Sequence, residues 1–258
     1  MLGINANVNA TSTKALGANT QKEKNMCANK NLIFRQLFDY DTWTYSYLLA
    51  DPISKEGVLV DSVKEKVDRD LKLIEELGIK LKYVLETHVH ADHVTGADGL
   101  RKATGAEVVY GVAANVPCAD INAEDGVTLE VGHFQVKIIS TPGHTDGCTT
   151  YHIDDMIFTG DALLIRGCGR TDFQQGSADV LYHSVTEKLF KLPLDTKVYP
   201  AHDYKGNEMS TIEEEINFNA RLGKGKTKEI FIDIMDNLNL AKPKRIDIAV
   251  PANMKCGA

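Results

Sequence analysis

Along this chain, short apolar runs alternate with stretches whose apolar positions recur at helical spacing. Leu32 to Phe38, Tyr45 to Leu49 and Val58 to Val60 are the first such runs, and they predict strands. Val63, Val67, Leu71, Ile74 and Leu77 then recur every three or four residues up to Gly78, which predicts an amphipathic helix packed across a sheet. Lys80 to Glu86 predicts a buried strand, Gly96 to Ala103 a short helix and Glu107 to Tyr110 another strand, after which Asn115 to Asp125 reads as an irregular connection. Val127 to Val131 and Phe134 to Ser140 form a predicted hairpin across Gly132-His133. Thr149 to Ile153 and Met156 to Thr159 form a second, turning at Asp154-Asp155. Helices are predicted over Ala178 to Leu192, Thr211 to Arg221 and Thr227 to Leu238. Apolar faces remain on both halves, so the expected class is α/β, with two sheets packed together and helices on the outside.

Polar residues break this pattern most sharply just after the run Leu81 to Leu85. There Thr87-His88-Val89-His90-Ala91-Asp92-His93 places three imidazoles and a carboxylate at a strand's carboxyl end, where layered α/β proteins collect their chemistry. A lone histidine is commonly a satisfied core or surface residue, but this density points to metal. In an extended segment His88, His90 and Asp92 share one side and His93 faces the other, which would serve two neighbouring metal positions. The same layout recurs where Val136 to Ser140 leads into Thr141-Pro142-Gly143-His144, where Met156 to Thr159 leads into Gly160-Asp161, and where Val198-Tyr199-Pro200 leads into Ala201-His202-Asp203. His88, His90, Asp92, His93, His144, Asp161 and His202, in this order, resemble the metal signature of the metallo-β-lactamase superfamily.

Composition narrows the setting. With 258 residues, 43% of them hydrophobic, the chain can bury one large core. No apolar run approaches the ~20 residues needed to span a bilayer, so no membrane partner is expected. A formal net charge of −7 makes nucleic acid an unexpected partner. The cysteines Cys27, Cys118, Cys148, Cys168 and Cys256 are odd in number, widely spaced and without a Cys-x-x-Cys pair, which argues against a disulfide framework and for an intracellular, reducing location. Residues 1–30, rich in Asn, Ala, Thr and Lys, read as a disordered leader or transit segment, and residues 31–258 as the folded domain.

Longer stretches resemble one branch of that superfamily, the persulfide dioxygenases. The resemblance runs from Phe34 to Gly257 and rests on Phe34-Arg35-Gln36-Leu37-Phe38, Trp43-Thr44-Tyr45, the metal loop extended through Val94-Thr95-Gly96, and the run from Gly160-Asp161 through Gly167-Cys168-Gly169-Arg170 to Gln174. It continues in Tyr199-Pro200-Ala201-His202-Asp203-Tyr204 and in the tail Val250 to Gly257. The resemblance implies the metallo-β-lactamase αβ/βα sandwich, two mixed β-sheets with helices on the outer faces. It also implies one Fe(II) per chain and oxidation of the outer sulfur of glutathione persulfide by O2, yielding sulfite and glutathione. The implied iron ligands are His88, His144 and Asp161, a set of two imidazoles and one carboxylate that leaves coordination positions open. His90, Asp92, His93 and His202 would then orient ligands by hydrogen bonds without touching the iron. Arg170, Tyr204 and Arg221 would bind glutathione, whose two carboxylates suit guanidinium groups.

Cys168 is expected to be a small buried residue rather than a sulfur relay. A dizinc hydroxyacylglutathione hydrolase is the rival enzyme, since all seven ligands are present, although the chain after His202 is short for a thioester-binding helical domain. A non-catalytic iron or persulfide sensor is a rival of another class, but no DNA-reading module is appended. A mitochondrial matrix or cytoplasmic location and a homodimer complete the expectations.

Overall fold

The computed structural model describes residues 32–258. The expected leader, residues 1–30, lies outside the described residues. Two six-stranded mixed sheets make up the framework. The first runs in spatial order β1 (Ile33–Asp39), β2 (Thr44–Ala50), β3 (Glu56–Val60), β4 (Lys80–Leu85), β5 (Glu107–Gly111) and β6 (Ile121–Ala123). Antiparallel pairing joins β1 to β3, and parallel pairing joins β3 to β6. The second sheet holds β7 (Thr128–Val131), β8 (Phe134–Ser140), β9 (Thr149–Ile153), β10 (Met156–Gly160), β11 (Lys197–Pro200) and β12 (Ser210–Thr211), in that spatial order, with only β10 and β11 parallel.

Alternation along the strands decides which residues fill the space between the sheets. Tyr47, Leu49, Val58, Val60 and Leu85 from the first sheet meet Val136, Ile138, Tyr151 and Phe158 from the second in one buried cluster. The opposite faces carry Leu48, Leu59 and Val84 on one side and Ile139, Ile157 and Val198 on the other. Helices α1 (Val67–Glu76) and α2 (Ala97–Thr104) cover the first outer face through Ile74 and Leu100. α3 (Ala178–His183), α4 (Ile212–Phe218) and α5 (Lys228–Asp236) cover the second through Leu181, Ile212 and Phe231. The result is the expected αβ/βα sandwich. Ser177, Thr211 and Thr227 cap these three helices, each side chain accepting from a backbone N–H three residues on.

Four local expectations need correction. The stretch predicted as one helix over 178–192 divides into α3, a widened turn at Ser184–Lys188 and a tight turn at Leu189–Lys191. It loosens where Thr186 Oγ1 donates to the carbonyl of Tyr182 at 2.7 Å. The connection read as irregular contains β6, too short to leave a pattern. A further helix, α6 (Ile246–Asn253), the sixth among the described residues, forms in spite of Pro251 within it, and Val250 and Met254 pack against the first outer face. Finally, Cys118 and Cys256 are joined in a disulfide, against the expectation of unpaired thiols, while Cys148 and Cys168 are free and buried.

Candidate metal centre and substrate cleft

Beyond β4 the chain leaves the sheet, and Thr87 to Thr95 forms an irregular loop across the carboxyl ends of the strands. The ends of β8, β10 and β11 bring His144, Asp161 and His202 to the same place from the other sheet. His88, His144 and Asp161 offer ligand atoms that all lie within 4.8 Å of one another. His90, Asp92 and His93 form a second such group. The division differs from the extended-segment expectation: the loop turns between His88 and His90, so His90 and Asp92 side with His93.

Neighbouring groups determine which atoms of the first group carry free lone pairs. Thr87 Oγ1 donates to Asp61 Oδ2 at 2.9 Å, so at the 2.9 Å contact with His88 it accepts the proton of Nδ1. The carbonyl of Arg170 can only accept, so His144 Nδ1 donates to it at 2.6 Å. In its neutral form each imidazole thus keeps an unprotonated Nε2. Burial holds the His88 imidazole well below its usual pKa, as do His90 and His144 beside it, which keeps that lone pair available. Asp161 accepts from His202 Nδ1 through Oδ1 at 2.7 Å, leaving Oδ2, which lies 3.7 Å from His144 Nε2. Two imidazole nitrogens and one carboxylate oxygen are therefore free around one point, a donor set suited to a transition metal.

Carboxylates dominate the surroundings. His202 Nε2 donates to Asp92 Oδ2 at 3.0 Å, and the same oxygen accepts from His93 Nδ1 at 2.9 Å. Burial would disfavour charge on His202, but the carboxylates of Asp161 and Asp92 outweigh it and raise its pKa well above the usual value. Deeper in, His90 Nε2 lies 3.2 Å from Asp61 and 3.4 Å from Glu86, both fully buried, and against the effect of burial its pKa rises to about 10. The sequence pattern contained the signal for Asp61: it is a carboxylate at the end of β3, next to the strand that carries the histidines.

An open cleft of about 850 Å³ leads to this centre, and its wall includes Arg170, Tyr204, Arg221, Lys205, Lys244 and Arg245. The last three were not among the expected substrate residues. Arg221 follows α4 in a turn rather than sitting on a helix, and donates to the carbonyl of Cys168 at 2.6 Å. The fork of Arg170 is already engaged: it donates to both oxygens of Asp172 at 2.6 and 2.7 Å and to the carbonyls of Ala241 and Leu240 at 2.7 and 3.3 Å. Tyr204 is exposed, its ring parallel to that of His202 with centroids 6.2 Å apart. Of the two glycines flanking Cys168, Gly169 admits the close approach, since a Cβ there would lie 2.8 Å from His144 Nδ1 and 2.6 Å from the carbonyl of Asp161, whereas Gly167 has open space. Cys168 itself is buried against Met235, and burial pushes its thiol up to about 11, as an inert packing residue requires.

An αβ/βα sandwich with ligand-bearing loops from both sheets defines a metalloprotein of the metallo-β-lactamase type. Residues 43–202 match the metallo-beta-lactamase superfamily. The mouse and human proteins named "Persulfide dioxygenase ETHE1, mitochondrial" are each 52% identical to the chain over 229 residues, 88% of this chain and 89% of theirs. The crystal structure of ETHE1 from Myxococcus xanthus superposes with a TM-score of 0.86 at 51% identity, covering 88% of this chain and all of that one. The chain belongs to the persulfide dioxygenase family of that superfamily. Among the described residues, no helix is long and apolar enough to cross a membrane.

Proposed function

We propose that this protein oxidises the terminal sulfur of glutathione persulfide with O2, yielding sulfite and glutathione, at a single Fe(II) held by His88, His144 and Asp161. The observation carrying this reading is the arrangement of free lone pairs: Thr87 and the Arg170 carbonyl occupy the Nδ1 positions, His202 occupies Asp161 Oδ1, and three atoms remain to share one ion. His88, His144 and Asp161 would hold the ion, and a ferrous ion there would supply the redox chemistry that brings dioxygen to a persulfide sulfur.

The chain's own residues supply orientation and charge. His202, held between Asp161 and Asp92, fixes the direction of the Asp161 carboxylate. His90, paired with Asp61 and Glu86, and Asp92 and His93, linked to each other and to His202, are proposed to order water and ligands beside the iron. Arg221 spends one N–H on Cys168, so the rest of its guanidinium is offered to a glutathione carboxylate. Lys205 and Lys244 add positive charge along the cleft, where Arg245 is paired with Glu65, and Tyr204 supplies a hydroxyl at its edge. Arg170, bound to Asp172 and to two backbone carbonyls, is proposed to shape the wall and not to release its fork to substrate. The mammalian relatives are named as mitochondrial, and the same compartment is proposed for this protein.

Metal analysis of anaerobically purified protein, combined with an oxygen electrode, tests the reading. One iron per chain and glutathione-persulfide-dependent oxygen uptake are expected. Two zinc ions per chain with thioester hydrolysis and no oxygen uptake would overturn it in favour of the dizinc hydrolase.

A further inference from the structure

Along the irregular loop carrying His88, His90, Asp92 and His93, backbone N–H groups reach only its two ends, Thr149 of β9 donating to the carbonyl of Thr87 and Lys64 to that of Val94. Several of its peptide groups are instead served by one buried side chain from the far end of the chain. Asn253, the last residue of α6, donates through Nδ2 to the carbonyls of His90 and His93, both at 2.9 Å, and accepts from the N–H of Thr95 through Oδ1 at 2.9 Å. A carboxamide is the one group of this size with two donors and an acceptor in a plane; aspartate would lose both donors and leucine all three bonds. Asn253 has no exposed surface, so each bond lost would leave a buried peptide group unpaired.

The residues after Asn253 fix its position from several directions. The carbonyl of Cys256 accepts from the N–H of Asp98 at 2.9 Å, in the first turn of α2. Gly257, at φ +81°, passes so close to the loop that a Cβ there would lie 2.0 Å from the carbonyl of Thr95. Lys64 Nζ donates to the Gly257 carbonyl, and the Cys118–Cys256 disulfide ties the same segment to the connection after β5. These contacts tie the segment after Asn253 to α2, to Lys64 and to the connection after β5, and Gly257 adds a close approach to the loop itself at Thr95.

We infer that Asn253 is a positioning residue for the metal centre: its carboxamide sets the course of the backbone from His90 to Thr95, and so the direction in which Asp92 meets His202 and His202 meets Asp161. The inference rests on the metal site proposed above. The path is continuous, from Asn253 to the carbonyls of His90 and His93, from Asp92 Oδ2 to His202 Nε2, and from His202 Nδ1 to Asp161 Oδ1.

The test compares Asn253→Leu with Val136→Ala, a substitution in the core between the sheets that lowers stability without touching the loop. Affinity for Fe(II) is measured by chelator competition, and the visible spectrum of the Co(II)-substituted protein reports coordination geometry. Asn253→Leu is expected to weaken metal binding roughly ten- to a hundredfold, the usual cost of losing a group that orients a ligand. It should also alter the cobalt spectrum and lower kcat per bound iron while KM for glutathione persulfide stays unchanged. Val136→Ala should melt earlier with parental affinity and spectrum. If Asn253→Leu is poorly soluble, Asn253→Ser removes the same long-reaching bonds with less bulk and serves in its place. Parental metal affinity and spectrum in the Asn253 variant, however far its melting temperature falls, would overturn the inference. Because cobalt binding is read without turnover, this outcome is separate from any failure of the parent to consume oxygen.

Discussion

Removing the Cys118–Cys256 bond by Cys118→Ser should lower stability by an amount set chiefly by the length of chain it closes. The two cysteines are 138 residues apart, and in the chain-entropy account a loop of that length costs the unlinked unfolded chain about 5 kcal/mol at 25 °C. Measured values run lower, about 2–4 kcal/mol, because unfolded chains retain structure. For a domain of this size, a loss of about 2–5 kcal/mol lowers the melting temperature by roughly 5–15 °C. The assay is thermal unfolding of metal-free parent and Cys118→Ser, each with and without a phosphine reductant, so that metal binding does not enter the comparison. Reductant should lower the parent's melting point to that of the variant and leave the variant unmoved. Thiol titration in denaturant should find two fewer thiols in oxidised parent than in reduced parent. If the bond is present by titration but all four melting curves superimpose, the loop-closure reasoning fails for this fold.

Other expectations follow from the site and the surface. Arg221→Ala should raise KM for glutathione persulfide and lower kcat/KM roughly ten- to a hundredfold, the value of one charge-assisted contact, with iron content unchanged. Small alkyl persulfides should be indifferent to the change, and equal losses on both substrates would make Arg221 a structural residue. His88→Ala should abolish iron retention while His93→Ala keeps most of the iron; equal loss in inductively coupled plasma analysis would refute the division of the histidines. Asp51 is held below its usual pKa, against the effect of burial, by N–H groups of Ile53 and His133 and by the His133 ring. A carboxylate with a lowered folded-state pKa stabilises above its unfolded value near 4 and loses that contribution as pH falls further. Asp51→Asn should therefore be less stable than the parent at pH 7, with the gap closing in denaturant titrations below about pH 4; a gap independent of pH would count against the charge argument.

How much of this was legible beforehand depended on the range of the interactions. The strand before His88 and the hairpins at Gly132-His133 and Asp154-Asp155 are local patterns, and the structure contains them. Capping residues Ser177, Thr211 and Thr227 likewise mark helix starts within a few positions of those expected. The tail was hidden because Pro251 within α6 lacks the N–H a helix interior uses, which argues for an end and not for a helix. The grouping of His90 with Asp92 and His93 depends on a turn stabilised by Asn253, and the pairing of Cys118 with Cys256 on both segments lying beside α2. Neither has a sequence-local cause, so neither could be read from spacing. Arg170 shows the same limit for side chains: its type suited a carboxylate ligand, and only its neighbours show that Asp172 already occupies the fork.

The position of Asn253 also orders events in time. The histidine loop is made early and the residue that braces it follows His93 by 160 positions, about 10–30 s later at ordinary rates of translation. During that interval the loop can emerge, and the first sheet can pair, while the carbonyls of His90 and His93 lack their partner. Asp161 and His202 arrive in between, from the other sheet, so no part of the chain short of Asn253 assembles the whole centre. On the inference drawn above, a chain that stops short of Asn253 would thus bind metal weakly and exchange it freely, whereas one that includes it would retain it. Synthesis of Asn253 becomes the step that commits the metal.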